Sequence, residues 1–459
     1  MTTTAKKTTL SVSLAQLGPG LLMAGAAIGV SHLVQSTRAG AMYGWGALIF
    51  VLLANLMKYP FYEYGHRYAA ASGQNLIQAY RQQGKRFFIP FLLISAISAV
   101  GSFAVDAFVA AMLLQYLLFP NVSATVLAVG VLLFCWGLIA VGRYRLFEQI
   151  TKWCVIFLSV ATIAAVVMAV ATTVWPLFSS PVIASHTSST VEVLGKVSGE
   201  VSQQTLLSEP SSQAFVASTT NLSRPSIFSW SAVPFIVAFM GWMPGGLELS
   251  VWQSLWVQAD AKDSGEQASM TEASFDFNFG YLLTVVLACL FLILGTLTLP
   301  EQGLAAEPAK FAGQLVGMYT HYIGAWAQPV IGLCAIAAIF STTFTVVDAF
   351  PRTLEAGLYE LFPETKAIEF PIRQAMALTL IALAGLLLTV FTAGFEPLIN
   401  TITILAFIAA PFYAWLNMRS IRTLEDAAQP ATWLSRLAIV GLIYLSGFSL
   451  IFLAITFLY

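Results

Sequence analysis

Charged residues are scarce in this sequence of 459 residues: 21 are Lys or Arg and 22 are Asp or Glu, together 9% of the chain. A soluble domain carries about 25% charged residues. Hydrophobic residues make up 58% of the chain, and the mean hydropathy is +0.80. This composition argues against a water-soluble globule and against a disordered chain. The formal net charge of −1 provides no field that would attract a nucleic acid. A polytopic membrane protein is the class that remains.

Cysteine and histidine are also rare, with four of each in the sequence. The cysteines are Cys135, Cys154, Cys289 and Cys334, each in an apolar stretch. No CxxC or Cys/His spacing occurs, which argues against a structural zinc site or a disulfide framework. The phosphate-binding pattern GxxxxGK followed by Ser or Thr is absent, and no polar segment is long enough for an ATPase, a kinase or a sensor module. We therefore expect neither ATP-driven pumping by this chain alone, nor enzyme activity, nor a cofactor.

Apolar runs long enough to cross a bilayer as helices, about 20 residues each, occur eleven times. The alternating ten-residue segments of a closed β-barrel do not appear. We therefore predict an all-α polytopic membrane protein embedded in the lipid bilayer. The predicted spans, numbered 1 to 11, are Leu14–Tyr43, Trp45–Tyr64, Phe87–Phe119, Val122–Val141, Ile150–Trp175, Phe228–Val257, Phe277–Leu299, Ala325–Val347, Pro371–Phe391, Pro397–Leu416 and Trp433–Tyr459.

The distribution of Lys and Arg predicts how the chain is oriented in the membrane. With the N-terminus inside, 16 of the 21 Lys and Arg residues fall on the cytoplasmic side and 3 fall outside. The remaining two, Arg38 and Lys58, lie within spans. This bias predicts a cytoplasmic N-terminus and an extracytoplasmic C-terminus in the plasma (inner) membrane.

Spans 1 and 6 contain strong helix breakers near their centres. Span 1 carries glycines from Gly18 to Gly29, and span 6 reads Met-Pro-Gly-Gly from Met243 to Gly246. Proline removes one backbone donor and clashes with the preceding turn. For span 1 alone, close packing of its glycines against other helices explains the pattern equally well. Breaks at matching positions of two halves indicate an inverted-repeat transporter with its substrate site between them. We expect Gly25–Ser31 and Met243–Gly246 to be non-helical and to face each other near the bilayer centre.

This symmetry predicts five segments of the chain. They are a cytoplasmic tail (1–13), a first inverted repeat (14–175), an extracytoplasmic loop (176–228), a second inverted repeat (229–417), and a short loop with span 11 (418–459).

Several motifs resemble those of the Nramp divalent-metal transporters. The sequence GPGLL at the start of span 1, the AGA at its far end and Met243-Pro244 in span 6 are similar to family motifs, as are the ends of span 2 (59–69) and span 8 (341–352). The resemblance covers spans 1 to 10. It implies a LeuT-like fold of two inverted five-helix repeats, and proton-coupled uptake of a divalent transition metal by alternating access.

The sequence departs from the family where the metal binds. The family's first helix carries Asp-Pro-Gly-Asn, whose Asp and Asn side chains hold the metal, but the matching positions here are Gly29, Val30, Ser31 and His32. Span 6 keeps the thioether ligand as Met243, and the carbonyl that the family contributes matches Met240. The resemblance therefore implies a metal site at Gly29, His32, Met240 and Met243.

His32 and Met243 determine which metal this implied site would prefer. Imidazole and thioether ligands together favour Mn²⁺, Fe²⁺ or softer ions over Mg²⁺ and Ca²⁺. The alternative for His32 is a histidine that is hydrogen-bonded to a neighbouring helix.

Other ionisable residues within the spans are candidates for the transport path. Glu248 either replaces the missing negative charge, relays protons, or is only a solvated polar group. Asp106 and Arg38 are candidates for a proton relay or a gate, and a structural ion pair is the favoured explanation for Arg38. Two pairs with i, i+4 spacing, structural or gating, are Glu63 with Arg67 and Asp348 with Arg352.

Two alternatives to a metal transporter remain open. Loss of the carboxylate leaves small residues at Gly29, Ser31, Gly245 and Gly246, which make room for an organic solute such as an amino acid. A non-transporting receptor is disfavoured, because no sensory domain is attached and the helix breaks would serve no purpose. The expected partner is thus a metal ion or a small solute, and the oligomeric state cannot be predicted.

Overall fold

The structure is a computed structural model that describes residues 18–141, 144–174, 224–265, 269–299, 303–367, 371–391 and 394–458. Regular secondary structure in these ranges is entirely helical. The α-helices are α1 (Pro19–Ala27), α2 (Thr37–Tyr43), α3 (Leu48–Ser72), α4 (Leu76–Gln82), α5 (Lys85–Leu117), α6 (Ala124–Ala140), α7 (Tyr144–Ala169), α8 (Val233–Gly241), α9 (Leu249–Ser264), α10 (Met270–Thr298), α11 (Pro308–Ile323), α12 (Gln328–Leu361), α13 (Ile372–Val390), α14 (Phe395–Ile421) and α15 (Thr432–Leu458).

The predicted all-α membrane protein is confirmed. Eight helical segments of the described chain are long and apolar enough to cross a membrane, and two shorter apolar helices, Ala124–Ala140 and Trp230–Gly241, accompany them. Each of the eleven predicted spans overlaps one helix or one broken pair of helices. The predicted tail (1–13) and most of the predicted loop (176–228) lie outside the described residues.

Two helices extend well beyond the predicted ends of their spans. Span 2 was expected to end at Tyr64, but α3 continues to Ser72. Span 8 was expected to end at Val347, but α12 continues through Pro351 to Leu361. An apolar run marks the part of a helix that faces lipid or core, whereas the hydrogen-bonded turns continue into polar surroundings. Hydropathy therefore locates these helices correctly and places their C-terminal ends too early.

The first break is narrower than expected. Only Ile28 and Gly29 leave the helix between α1 and a π-helical segment, Val30–Ser36, which leads into α2. The N–H of Ile28 still donates to the Ala24 carbonyl (2.8 Å), and the N–H of Leu33 donates to the Gly29 carbonyl (2.9 Å). The expectation of a non-helical segment from Gly25 to Ser31 is therefore wrong at both ends, because hydrogen bonding resumes directly after Gly29.

The second break is as wide as the breakers predict. Helix α8 ends at Gly241 and α9 begins at Leu249, so Met243–Gly246 lies within a non-helical segment. Proline and two glycines in succession prevent the turns that would join the two helices.

Helix α10 packs against both halves of the first broken span through glycines. A side chain at Gly20 or Gly280 would collide with the backbone of the other helix, and the same holds for Gly40 and Gly295. Asp276 of α10 also caps the start of α1, because its carboxylate accepts hydrogen bonds from the N–H groups of Gly18 (3.2 Å) and Gly20 (2.6 Å). Close packing against another helix was the alternative explanation for the glycines of span 1, and it accounts for part of them.

We predict that Gly295→Ala lowers the free energy of unfolding by roughly 1–3 kcal/mol, because its methyl group would overlap the Thr37 carbonyl. Thermal unfolding of the purified protein in detergent measures the change. Gly130→Ala in α6 is the matched control, since nothing lies within 4 Å of the position of its new Cβ atom. Equal melting temperatures for the two variants would contradict the packing analysis.

Candidate functional site

A cavity lies between the two helix breaks, as the paired breakers predict. Its walls include Ser31 beside the first break, Gly245 and Glu248 of the second, Asp106 of α5 and Thr342 of α12. Water-sized molecules can occupy about 40 Å³ of it. The expectation that the two breaks face each other is confirmed.

Hydroxyl groups join the first break to its surroundings. Ser31 Oγ lies 3.2 Å from the Pro244 carbonyl oxygen, which connects the two breaks directly. The same hydroxyl lies 2.9 Å from the Ala27 carbonyl oxygen and 2.8 Å from Nδ1 of His32. Thr342 Oγ1 donates to the Gly25 carbonyl at 3.1 Å. The Ser31 hydroxyl has one hydrogen and three neighbouring acceptors, so rotation of that hydrogen alone can change which acceptor it binds.

Two carboxylates facing the cavity lack side-chain donors in the described part of the chain. Asp106 is 3% exposed and Glu248 is 6% exposed. They are close enough to interact electrostatically, and Glu248 also interacts with the ammonium of Lys58. A side chain at Gly246 would collide with the Glu248 carboxylate, so this glycine makes room for it. Burial of an unpaired carboxylate is costly, and both groups are therefore suited to bind a cation or a proton.

Lys58 is a further candidate functional residue, which the motifs and spacings of the sequence do not single out. It lies in α3, fully buried, and its ammonium donates to the carbonyls of Met240 (2.7 Å), Gly241 (2.8 Å) and Gly245 (3.1 Å). A lysine in the middle of an apolar span is the signal that could have identified it, since ionisable groups at this depth usually have a function.

Tyr62, one turn after Lys58, binds the same break from the same helix. Its hydroxyl lies 2.6 Å from the Gly245 carbonyl oxygen and 3.0 Å from that of Gly246. Two side chains of α3 therefore satisfy the carbonyl groups that the second break frees.

His32 is buried and has hydrogen-bond partners at both ring nitrogens. Nδ1 lies 2.8 Å from Ser31 Oγ, and Nε2 lies 3.0 Å from the Thr284 carbonyl oxygen of α10. Thr284 Oγ1 in turn donates to the Tyr281 carbonyl. The ring does not line the cavity between the breaks, whose walls are formed by its neighbours Val30 and Ser31. Because a carbonyl oxygen can only accept a hydrogen bond, Nε2 carries the hydrogen in its contact with Thr284, and Nδ1 is the acceptor when the ring is neutral.

The other implied metal ligands are also in contact with protein groups. The Met240 carbonyl accepts from Lys58, and Met240 Sδ accepts from the Tyr444 hydroxyl at 2.7 Å. Met243 is fully buried, and Gly29 is packed against Thr342. Within the described ranges, no group of three or more His, Cys, Asp or Glu residues is arranged to hold a metal. The metal-binding roles of His32, Met240, Met243 and Gly29 stay predictions.

Arg38 forms an ion pair, while its role as a gate, a relay or a structural residue stays a prediction. Its guanidinium pairs with Glu396 at the start of α14, donates to Gln35 Oε1 (3.0 Å) and lies 5.7 Å from the centre of the Phe235 ring. The Arg38 side chain is 3% exposed, whereas that of Glu396 is 55% exposed.

The two pairs with i, i+4 spacing are present as contacts. Arg67 binds Glu63 with N–O distances of 2.5 to 2.9 Å, and also donates to the Ala428 carbonyl (3.2 Å). Arg352 binds Asp348 at 2.7 to 3.1 Å. Neither pair lines the central cavity.

Two broken helices around a small central cavity recur in known transporters. A sequence profile of the family described as natural resistance-associated macrophage protein-like (Nramp) matches residues 20–454. The chain belongs to the Nramp-like family. It is therefore a multi-pass integral membrane protein of a transporter family and not an enzyme, and the family supports a metal as its cargo.

This Nramp-like chain has relatives in sequence and in structure. An uncharacterised protein of Pasteurella multocida (strain Pm70) is 31% identical over 458 residues, which are 99% of this chain and 95% of the relative. The manganese transporter of Eremococcus coleocola, in complex with an aromatic bis-isothiourea substituted compound, has a TM-score of 0.67 at 14% identity, covering 98% of this chain and 88% of that one. MhsT in complex with L-phenylalanine has a TM-score of 0.61 at 13% identity, covering 96% and 98%. The structural likenesses show the LeuT-like fold.

We predict that Tyr62→Phe destabilises this Nramp-like protein by about 0.5–1.5 kcal/mol, because the tyrosine hydrogen bond to the second break is lost while Gly245 keeps Lys58 and Gly246 keeps the Leu249 N–H as donors. Thermal unfolding in detergent measures the loss. Tyr322→Phe in α11 removes a tyrosine hydroxyl far from both breaks and serves as the control. Unchanged melting of Tyr62→Phe would show that its hydrogen bonds add nothing to the stability of the break.

Proposed function

We propose that this protein is a secondary active transporter that carries a divalent transition-metal cation, such as Mn²⁺ or Fe²⁺, through the central cavity by alternating access. The observation that supports it best is the pair of buried carboxylates, Asp106 and Glu248, which face this cavity without side-chain donors in the described chain. A divalent cation at Glu248 together with a proton on Asp106 would compensate both carboxylates. In this proposal the metal is cargo and not a resident cofactor.

The size of the cavity favours an ion over an organic molecule. A volume of about 40 Å³ is close to that of one water molecule in the liquid, about 30 Å³, and is large enough for a metal ion. Pockets for small molecules usually measure about 300–1,000 Å³. Carboxylate, carbonyl and water ligands suit Mn²⁺ well, so the oxygen groups around the cavity fit the proposed cargo.

Glu248 takes over the charge of the missing family aspartate in this proposal. It lies at the second break, lines the same cavity as Ser31 of the first break, and interacts electrostatically with the Lys58 ammonium. His32, Met243 and the Met240 carbonyl would join the metal in a different state of the transport cycle, since their present contacts must first be released.

Asp106 is the proposed carrier of the coupled proton. Among the described residues, the charged group that influences it is the like-charged Glu248, and no cation pairs with it. A proton on Asp106 removes the repulsion between the two carboxylates. Separate groups for the metal and the proton allow both to travel inward together.

The orientation and the gates complete the proposal. The N-terminus lies in the cytoplasm, the repeats comprise residues 14–175 and 229–417, and the C-terminus lies outside. The Arg38–Glu396 pair closes the outer path between α2 and α14. The intrahelical pairs Glu63–Arg67 and Asp348–Arg352 stabilise the inner halves of α3 and α12.

A small organic solute is the second candidate cargo. Small residues line the cavity at both breaks, and one structure with this fold, MhsT, is in complex with L-phenylalanine. Melting temperatures in the presence of Mn²⁺, Mg²⁺ or single amino acids separate the two candidates. Stabilisation by an amino acid and not by Mn²⁺ would favour the organic solute.

We predict that Glu248→Gln lowers Mn²⁺ uptake into proteoliposomes by about tenfold or more, because a charge-assisted contact to the metal is lost. Glu364→Gln, at an exposed position after α12, is the matched control and should transport as wild type does. Wild-type uptake by Glu248→Gln would rule out its role as a metal ligand.

We predict a different result for Asp106→Asn. Mn²⁺ should still bind, as measured by its thermal stabilisation of the variant, but uptake should no longer depend on an inward proton gradient, because the amide cannot carry the proton. Metal uptake into proteoliposomes is measured while an internal pH dye reports the entry of protons. Proton entry that still accompanies Mn²⁺ in this variant would place the coupling on another group.

A further inference from the structure

The three hydrogen bonds of Lys58 form a complete coordination sphere for one cation. An ammonium has three N–H donors, and each of them meets a backbone carbonyl, those of Met240, Gly241 and Gly245. Two of these carbonyls belong to the last turn of α8, and the third follows Pro244. The acceptors thus come from both ends of the second break and converge on a single point.

This arrangement of carbonyls has the chemistry of a cation site. The C-terminal end of a helix carries a partial negative charge, and α8 directs that end at the Lys58 ammonium. Carbonyl groups freed by a broken membrane helix can coordinate small monovalent cations. The Lys58 side chain is fully buried, so its charge reaches this point from α3 without contact with water.

We propose that the Lys58 ammonium is a built-in cation, which fills a carbonyl site in the second break that would otherwise take an alkali-metal ion. The break keeps its shape with no bound Na⁺ or K⁺, and in this state Lys58 withholds the Met240 carbonyl from the cargo. This inference goes beyond the transport of a metal and does not depend on which substrate the cavity carries.

Lys58→Ala tests the proposal by removing the resident cation and leaving the carbonyls in place. The variant and wild type are purified as full chains in detergent with choline chloride as the only salt, and their melting temperatures are measured. We expect Lys58→Ala to melt at a lower temperature. Replacing choline chloride with NaCl or KCl at equal ionic strength should raise the melting temperature of Lys58→Ala and leave that of wild type unchanged, because only the variant has a free site.

Chemical rescue makes the test specific for the lost ammonium. Methylammonium has the three N–H donors of the lysine head group and should restore about half or more of the lost melting temperature. Tetramethylammonium has the same charge and no N–H donor, so it should restore nothing. Lys262→Ala, which removes an exposed lysine of α9, should respond to none of these salts.

Several results would overturn the proposal. They are an unchanged melting temperature of Lys58→Ala in choline chloride, no gain from any small cation, an equal gain from tetramethylammonium, and a wild type that is itself stabilised by Na⁺ or K⁺. If Lys58→Ala gives no folded protein in any salt, Lys58→Arg and Lys58→Met replace it. Arginine retains a cationic donor and should fold, whereas methionine, which is similar in length and has no donor, should not. Equal behaviour of these two variants would reject the built-in cation.

Discussion

A helix that breaks inside a bilayer frees backbone carbonyls that lipid cannot satisfy, and the surroundings of both breaks in this protein meet that constraint. At the second break, Lys58 and Tyr62 of α3 carry four hydrogen-bond donors between them and lie within hydrogen-bond distance of four carbonyls. At the first break, Thr342 of α12 donates to the Gly25 carbonyl, and Ser31 reaches across to Pro244. Side chains of neighbouring helices thus replace hydrogen bonds that the missing helical turns would have made. The shape of each break therefore depends on the helix that supplies the donors.

Helix α10 has a similar role for the first broken span as a whole. Asp276 caps α1, Thr284 holds the imidazole of His32, and glycine contacts on both helices bring α10 against α1 and α2. Capping, a side-chain hydrogen bond and close backbone packing are independent kinds of contact, yet they lie along one helix. Both halves of the broken span are therefore positioned by the same element, and the cavity wall that they form depends on it.

Much of this architecture could be predicted from the sequence, because hydropathy and helix breakers act locally. The runs of apolar residues located every span, Met243–Gly246 located the second break, and the i, i+4 spacing located the pairs at Glu63 and Asp348. The partners of Lys58 and His32 could not be predicted in this way. Their contacts depend on which helices cross at the break and on the rotation that the π-helical turns give to His32. The narrow first break escaped prediction for a related reason, since hydrogen bonding can resume directly after a single glycine.

The length of α12 has a mechanical consequence. Its 34 residues span about 51 Å at 1.5 Å per residue, whereas the hydrocarbon core of a bilayer is about 30 Å thick. Thr342 contacts the first break from the middle of this helix, while Glu355, nearer its end, is bound by Arg373 of α13 at 2.7 Å. A rigid rod amplifies a small tilt with distance from its pivot. A sub-ångström shift beside the cavity would thus become a larger displacement of the far end of α12, and the Glu355–Arg373 contact would transmit that displacement to α13.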